Sequence, residues 1–278
     1  MTTVAELLAE GARRLPRREG IPDPRREAVW LLARAWGVDE AWLRVRMGEA
    51  VPEEVAARYR RWLERRAAGV PAHHLAGSCP FWGREFVVSP AVLVPRPETE
   101  FLVQAALELP LPAAARVLDV GTGSGCVAVT LALERPRWRV VATDVSLPAL
   151  AVARRNLERH GAAVALVRCD LASAVAGLHD LVTANLPYVP TSWMPALPPE
   201  VRREPPVALD GGPDGLHLVR RLLLDLPRLL APAGIALLEL GEGQADVVEA
   251  EAARRGLRPA GRVRDLGGCD RVVALSWP

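Results

Sequence analysis

The chain has 278 residues, half of them apolar and about a quarter charged, with a formal net charge of +2. That length buries one sizeable core with material left for a second small domain. The near-neutral balance excludes a strong polyanion magnet, and the longest apolar runs, such as Gly234-Ile-Ala-Leu-Leu238, are far too short to span a membrane.

The N-terminus, Met1-Thr-Thr-Val-Ala-Glu6, has no signal-type apolar core, and Glu6, Glu10 and Glu19 argue against an Arg-rich transit peptide. A cytoplasmic location is the expectation. Residues 1–71 carry only helical signals. Thr3-Val-Ala-Glu6 is a capping box ahead of an apolar stripe. Asp23-Pro24 is an N-cap followed by proline at the first helical position, and Ala28, Leu31, Leu32 and Ala35 then recur at helical spacing. Asp39 is placed to cap a short helix through Trp42 and Val45. Pro52 starts another, whose Val55, Tyr59, Trp62 and Leu63 share a face until Gly69 ends it. These elements predict a small helical bundle. All 35 basic residues of the chain are Arg, and the pairs Arg13-Arg14, Arg17-Arg18, Arg25-Arg26, Arg60-Arg61 and Arg65-Arg66 are offset by acids, which reads as a solvated outer face.

Residues 72–96 change character and read as a β-hairpin linker. Phe81-Trp-Gly-Arg-Glu-Phe-Val-Val88 sets aromatic and β-branched residues around Gly83. His73-His74 has no acid or thiol at ligand spacing, and Cys79, Cys126, Cys169 and Cys269 form no CxxC pair, so no metal site and no disulfide framework is expected.

Residues 97–278 form the expected catalytic domain. A helix begins near Glu98. Strand-like runs at Arg116–Val120, Arg139–Thr143, Ala163–Arg168, Leu181–Ala184 and Ile235–Leu240 alternate with helical segments near 125–135, 147–160 and 214–230. Apolar strands separated by helices predict a parallel sheet covered on both faces. Leu257–Val263 and Arg271–Trp277, joined across Gly267-Gly268, predict a closing antiparallel pair. The fold class expected is α/β: a Rossmann-like, mostly parallel seven-stranded sheet with an antiparallel last strand, preceded by the helical bundle.

Asp119-Val-Gly-Thr-Gly-Ser-Gly125 closes a strand and opens a helix, where doubly wound sheets bind ligands. The candidate cofactor contacts are Gly121, Thr122, Gly123, Ser124 and Gly125. Glycines at 121 and 123 let a cofactor approach bare backbone. A dinucleotide fingerprint wants Gly or Ala at 126, and Cys126 stands there. Asp144 ends the second strand, where an acid accepts hydrogen bonds from ribose hydroxyls. Asp170 ends the third and is placed to accept an adenine amino group. Three successive strand ends carrying loop, acid and acid favour S-adenosylmethionine (SAM), with S-adenosylhomocysteine as its product, over NAD.

Asn185-Leu-Pro-Tyr188 follows the fourth strand and contains one of the chain's two Asn and one of its two Tyr. The Asn185 side-chain oxygen and the Leu186 carbonyl can both accept from one NH₂ group. Pro187 fixes the backbone, and Tyr188 offers a flat face for a planar amide or base. Asn185, Pro187 and Tyr188 are the candidate catalytic residues, and with Leu186 they form the candidate acceptor site. By itself the motif fits either an amide or a nucleobase amine.

With these motifs in place, the chain resembles the PrmC/HemK protein-(glutamine-N5) methyltransferases nearly end to end. Phe81-Trp-Gly-Arg-Glu-Phe-Val-Val88, Val92-Leu-Val-Pro-Arg-Pro-Glu-Thr-Glu100, Glu204-Pro-Pro-Val-Ala-Leu-Asp-Gly-Gly-Pro-Asp-Gly-Leu216 and Asp265-Leu-Gly-Gly-Cys-Asp-Arg-Val272 carry the likeness. The resemblance implies a class I SAM-dependent methyltransferase that modifies the glutamine of the Gly-Gly-Gln motif in peptide chain release factors, with the helical module helping to hold the release factor. It implies SAM contacts at Gly121 to Gly125, Asp144, Leu171 and Asn185. Two positions depart from the family pattern: Leu186 replaces the usual second Pro of Asn-Pro-Pro-Tyr, and Leu171 stands where relatives often carry an aromatic. Asn-Leu-Pro-Tyr also resembles the rRNA adenine-N6 methyltransferases, but those carry their helical domain after the catalytic one. No direct nucleic-acid contact and no membrane contact are expected.

Overall fold

The computed structural model describes residues 2–278, which fall into two units. The first comprises Met1–Ser78 and Ala196–Glu204. It holds α1 (Val4–Arg14), α2 (Pro24–Trp36), α3 (Glu40–Arg44), α4 (Glu53–Ala67) and α5 (Ala72–Ala76). The capping box at Thr3 is formed in both directions: Glu6 N donates to Thr3 Oγ1 at 3.3 Å and Thr3 N to Glu6 Oε2 at 2.8 Å. Asp23 caps α2 through its side chain, whereas Asp39 makes no side-chain cap bond to α3. The α3 segment spans just over one turn, and packing of Leu43 rather than capping holds it. Leu7, Leu31, Leu32, Val55, Tyr59 and Leu63 fill the core.

Arg66 overturns part of the solvated-face expectation. It is buried, with Nε on Glu27 Oε1 at 2.5 Å, Nη2 on the Gly20 carbonyl at 2.6 Å and Nη1 on the Val70 carbonyl at 3.3 Å. A buried guanidinium persists because its donors are met, and that depends on chain segments far apart in sequence. The excursion 196–204 joins this unit through an Arg18–Glu200 ion pair (3.7 Å) and a bond from Arg203 Nη2 to the Ala68 carbonyl (3.4 Å). The expected linker at 72–96 thus contributes one helix to the first unit and a hairpin to the second.

The second unit comprises Cys79–Pro195 and Pro205–Pro278. Its hairpin pairs β1 (Ser78–Phe81) with β2 (Arg84–Val87) across Trp82 and Gly83, both at positive φ (49° and 68°). Two such residues make the turn that matches strand twist, and the Glu100 carboxylate holds Trp82 in place by accepting from its N–H at 2.7 Å. There follow α6 (Thr99–Glu108), β3 (Arg116–Val120), α7 (Cys126–Glu134), β4 (Arg139–Asp144), α8 (Leu147–His160), β5 (Val164–Arg168), β6 (His179–Asn185), α9 (His217–Leu229), β7 (Leu230–Glu239), α10 (Ala245–Ala253), β8 (Arg258–Arg264) and β9 (Asp270–Ser276). Helix α10 has no counterpart in the sequence reading, which passed over a short Ala-rich stretch.

The seven strands run in the order β5-β4-β3-β6-β7-β9-β8. β3 to β7 are mutually parallel, and β9 inserts antiparallel between β7 and β8. Alternation sorts side chains between two faces. Leu118, Val120, Val182, Ala184 and Leu238 pack toward α9 and α10. Val117, Leu181 and Leu237 pack toward α6 and α7. The same parity places Asp119, Thr183, Asn185 and Glu239 on the α6 face, near the carboxyl ends of three adjacent strands.

Candidate active site

The loop after β3 is built by backbone bonding. Gly121 N and Thr122 N both donate to the Thr143 carbonyl at 2.9 Å, which ties the loop to the end of β4. Gly121 has φ +74°, and a Cβ there would stand 2.9 Å from Leu186 Cδ2. Glycine is therefore what lets this loop touch the Asn185 loop. The far end of the glycine loop is held by Asn156, a residue that sequence reasoning missed. It is fully buried on α8. Its Oδ1 accepts from Val87 N at 2.7 Å, while Nδ2 donates to the carbonyls of Val87 (2.9 Å) and Ser124 (2.8 Å). The available signal was that the chain's other Asn sits mid-helix, where its side chain competes with the backbone and needs a reason.

Three acids define the electrostatics. Asp119 accepts from Thr183 Oγ1 at 2.8 Å through Oδ1, while its buried Oδ2 has no hydrogen-bond partner among the described residues. Burial pushes its carboxyl up to about 6; Thr122 and Thr183 oppose that rise and nearby Asp144 adds to it. Asp144 is also raised, by burial first, although it accepts from Gly123 N (2.9 Å) and Ser146 N (2.8 Å). Each carboxylate oxygen accepts more than one bond, so Asp144 anchors the loop and keeps capacity for a ligand. Asp170 lies at the rim, exposed, with Oδ2 on Arg221 Nη2 at 2.6 Å. Leu171 adopts φ +49°, a conformation that costs a β-carbon residue about 1 kcal/mol, and Thr143 Oγ1 secures it by donating to its carbonyl at 2.7 Å.

Asn185 ends β6 directly opposite Glu239 of β7. Its Nδ2 donates to Thr99 Oγ1 at 3.0 Å, at the start of α6. Beyond it, Val189 pairs with Asp210 as a parallel bridge, and Val189 N donates to the Leu209 carbonyl at 3.0 Å. Gln244 Nε2 donates to the Tyr188 carbonyl at 3.1 Å, and the Tyr188 ring lies so near Gly241 that a Cβ there would stand 3.1 Å from Cδ2. Burial raises the Tyr188 hydroxyl, with Glu239 adding to the rise, so the phenol stays neutral at ordinary pH.

One cavity gathers Gly121, Thr122, Gly123 and Ser124, the acids Asp119, Asp144 and Asp170, and Leu171, Asn185, Leu186 and Pro187. Of the residues singled out from sequence, Gly125 and Tyr188 stand outside its lining. Thr99, which lines it, was read only as part of the 92–100 string, and Glu239, behind Asn185, carried no local sequence signal. Among the described residues no group of three or more His, Cys, Asp or Glu is placed to hold a metal, and no helix is long and apolar enough to cross a membrane.

Residues 6–77 match the model of the PrmC N-terminal domain, and residues 97–193 match that of the methyltransferase small domain. The chain is 43% identical to the release factor glutamine methyltransferase of Geobacter sulfurreducens, over 92% of this chain and 90% of the relative. It is 39% identical to the protein of that name from Deinococcus radiodurans, over 96% of each. A methyltransferase crystal structure from Pyrococcus furiosus superposes with a TM-score of 0.56 at 21% identity, covering 70% of this chain and 90% of that one, which shows a shared fold.

Proposed function

The chain belongs to the release factor glutamine methyltransferases, and from that premise we infer that it methylates the side-chain amide nitrogen of the glutamine in the Gly-Gly-Gln motif of peptide chain release factors, using SAM. The observation that carries this reading is that the glycine loop and the Asn185 loop line one cavity and touch at Gly121 and Leu186. A methyl donor and a planar NH₂ held there are neighbours.

The residues present fit SAM. Asp119 lines the cavity, its buried Oδ2 has no hydrogen-bond partner among the described residues, and an ammonium group satisfies such an acceptor. Asp144 serves hydroxyl groups, and Leu171 with Val145 offers an apolar surface to a base. The acid-rich setting favours a cationic ligand. The chemistry such a cofactor supplies is an electrophilic methyl carbon on a positive sulfur.

The protein's own contribution is orientation. Asn185 Oδ1 and the Leu186 carbonyl accept the two N–H bonds of the acceptor, Pro187 restrains that carbonyl, and Tyr188 supports the loop. The amide lone pair is delocalised, and accepting both N–H bonds returns electron density to the nitrogen as its new bond forms. The proton becomes acidic once the methyl has arrived, so no strong base is needed. Positioning and electrostatics supply the catalysis. We assign the helical first unit to holding the release factor. An acceptor that acts in translation termination places the activity in the cytoplasm.

Tritiated SAM offered with a purified release factor and, separately, with rRNA tests the assignment. Label is expected in the release-factor peptide containing Gly-Gly-Gln; label confined to rRNA would overturn the assignment.

A further inference from the structure

We propose that Glu239 and Thr99 are positioning residues that hold the Asn185 amide with its nitrogen turned inward, so that Oδ1 and not the NH₂ group meets the acceptor. The inference rests on the glutamine reading above. A primary amide has two nearly isosteric orientations. In the wrong one, Asn185 would set a donor against the donors of the substrate NH₂, and the acceptor nitrogen would not be held.

Thr99 alone does not decide between them. Asn185 Nδ2 stands 3.0 Å from Thr99 Oγ1, but a hydroxyl both donates and accepts. A flipped Asn185 would find an equally good partner there. A carboxylate only accepts, and Glu239 is the group that breaks the tie. It faces Asn185 across the β6–β7 register, on the same face of the sheet, and is 2% exposed. Thr99 and Asn185 are the polar side chains that draw its carboxyl down against the burial that raises it. With the Thr99 proton drawn to the carboxylate, the Thr99 oxygen is left to accept from Asn185. Glu239 Oε2 is buried with no hydrogen-bond partner among the described residues, so the carboxyl has capacity to accept from this cluster.

The arrangement has a pH signature. Burial pushes the Glu239 carboxyl up to about 7; Thr99, Asn185 and Arg271 pull it down and Glu98 pushes it further up. Tyr188 and Cys126 also face it, and both keep their protons well above neutrality. Protonated, Glu239 can donate as well as accept, and the tie returns. Activity therefore rises as pH rises through about 7.

The full-length protein and a purified release factor provide the test, with kcat, release-factor KM and SAM affinity measured from about pH 5.5 to about pH 9. Glu239→Gln is expected to lower kcat about tenfold or more, with KM and SAM affinity within about twofold, because the loss arises where the acceptor is oriented. The rise near neutral pH should flatten in that variant. Thr99→Val should follow it, and Thr99→Ser should restore most of the rate. Wild-type kcat and pH profile in Glu239→Gln would overturn the proposal, as would a loss confined to SAM affinity or KM. If Glu239→Gln fails to fold, the contrast of Thr99→Val with Thr99→Ser decides, and equal activity in those two overturns it. A wild-type protein that leaves the release factor unlabelled refutes the proposed function itself, a different result from an active wild type with an indifferent Glu239→Gln.

Discussion

Replacing Asn156 with Ala tests how the cofactor loop is held. Three hydrogen bonds vanish, and the Val87 N–H, the Val87 carbonyl and the Ser124 carbonyl lose their partner. A fully buried polar group left unpaired costs about 1–3 kcal/mol. The Ser124 bond is buried, whereas water can reach the half-buried Val87 pair, so the sum comes to about 3 kcal/mol. Set against a total stability of about 5–15 kcal/mol, that is a large fraction. In urea unfolding it lowers the midpoint by about 1.5 M for a slope near 2 kcal/mol/M. SAM affinity should fall as well, because Ser124 belongs to the glycine loop. Asn156→Asp should lose at least as much at neutral pH, since it turns a negative oxygen toward two carbonyls. A midpoint shift under about 0.5 M for Asn156→Ala would refute the staple.

Gly121→Ala puts a Cβ at φ +74° and 2.9 Å from Leu186 Cδ2; strain and overpacking together predict a loss of about 2–4 kcal/mol, read by urea unfolding. Asn185→Ala should abolish methyl transfer while retaining part of the SAM binding, and Asp144→Ala should weaken SAM binding directly; calorimetric titration beside the activity assay separates the two. Burial raises Glu239 from 4.5 to about 7, so the folded protein holds that proton more tightly than the unfolded chain. The stability it contributes is complete below 4.5 and is lost as pH rises through about 7. Glu239→Gln should accordingly be more stable than wild type at pH 8, by up to about 3 kcal/mol, with no such advantage at pH 4.5; an equal gap at both pH values would contradict the burial argument.

Much of this molecule was readable locally. The capping box at Thr3 and the Asp23-Pro24 start depend on a few consecutive residues, and both formed as expected. The runs at 116–120, 139–143 and 181–184 are apolar because both faces of a parallel strand are covered, and periodicity reports that directly. The glycine loop and Asn185-Leu-Pro-Tyr188 combine residue types that ordinary strand-to-helix turns do not require, so each stood out as a site. Helix α10 escaped because its nine residues offer little periodic contrast between faces.

The chain by itself thus determined the order of strands and helices apart from α10, the two loops that meet at the cavity, and the family. Tertiary structure alone decided which distant groups share a face of the sheet. Asn156 reaches Val87 and Ser124, Arg66 finds Glu27 and the Gly20 carbonyl, and Glu239 comes to lie behind Asn185 with Thr99 from another helix. Local pattern records whether a side chain is to be buried. Which partner meets its polar atoms is set by strand register and helix packing, and those join residues that no short window of sequence contains.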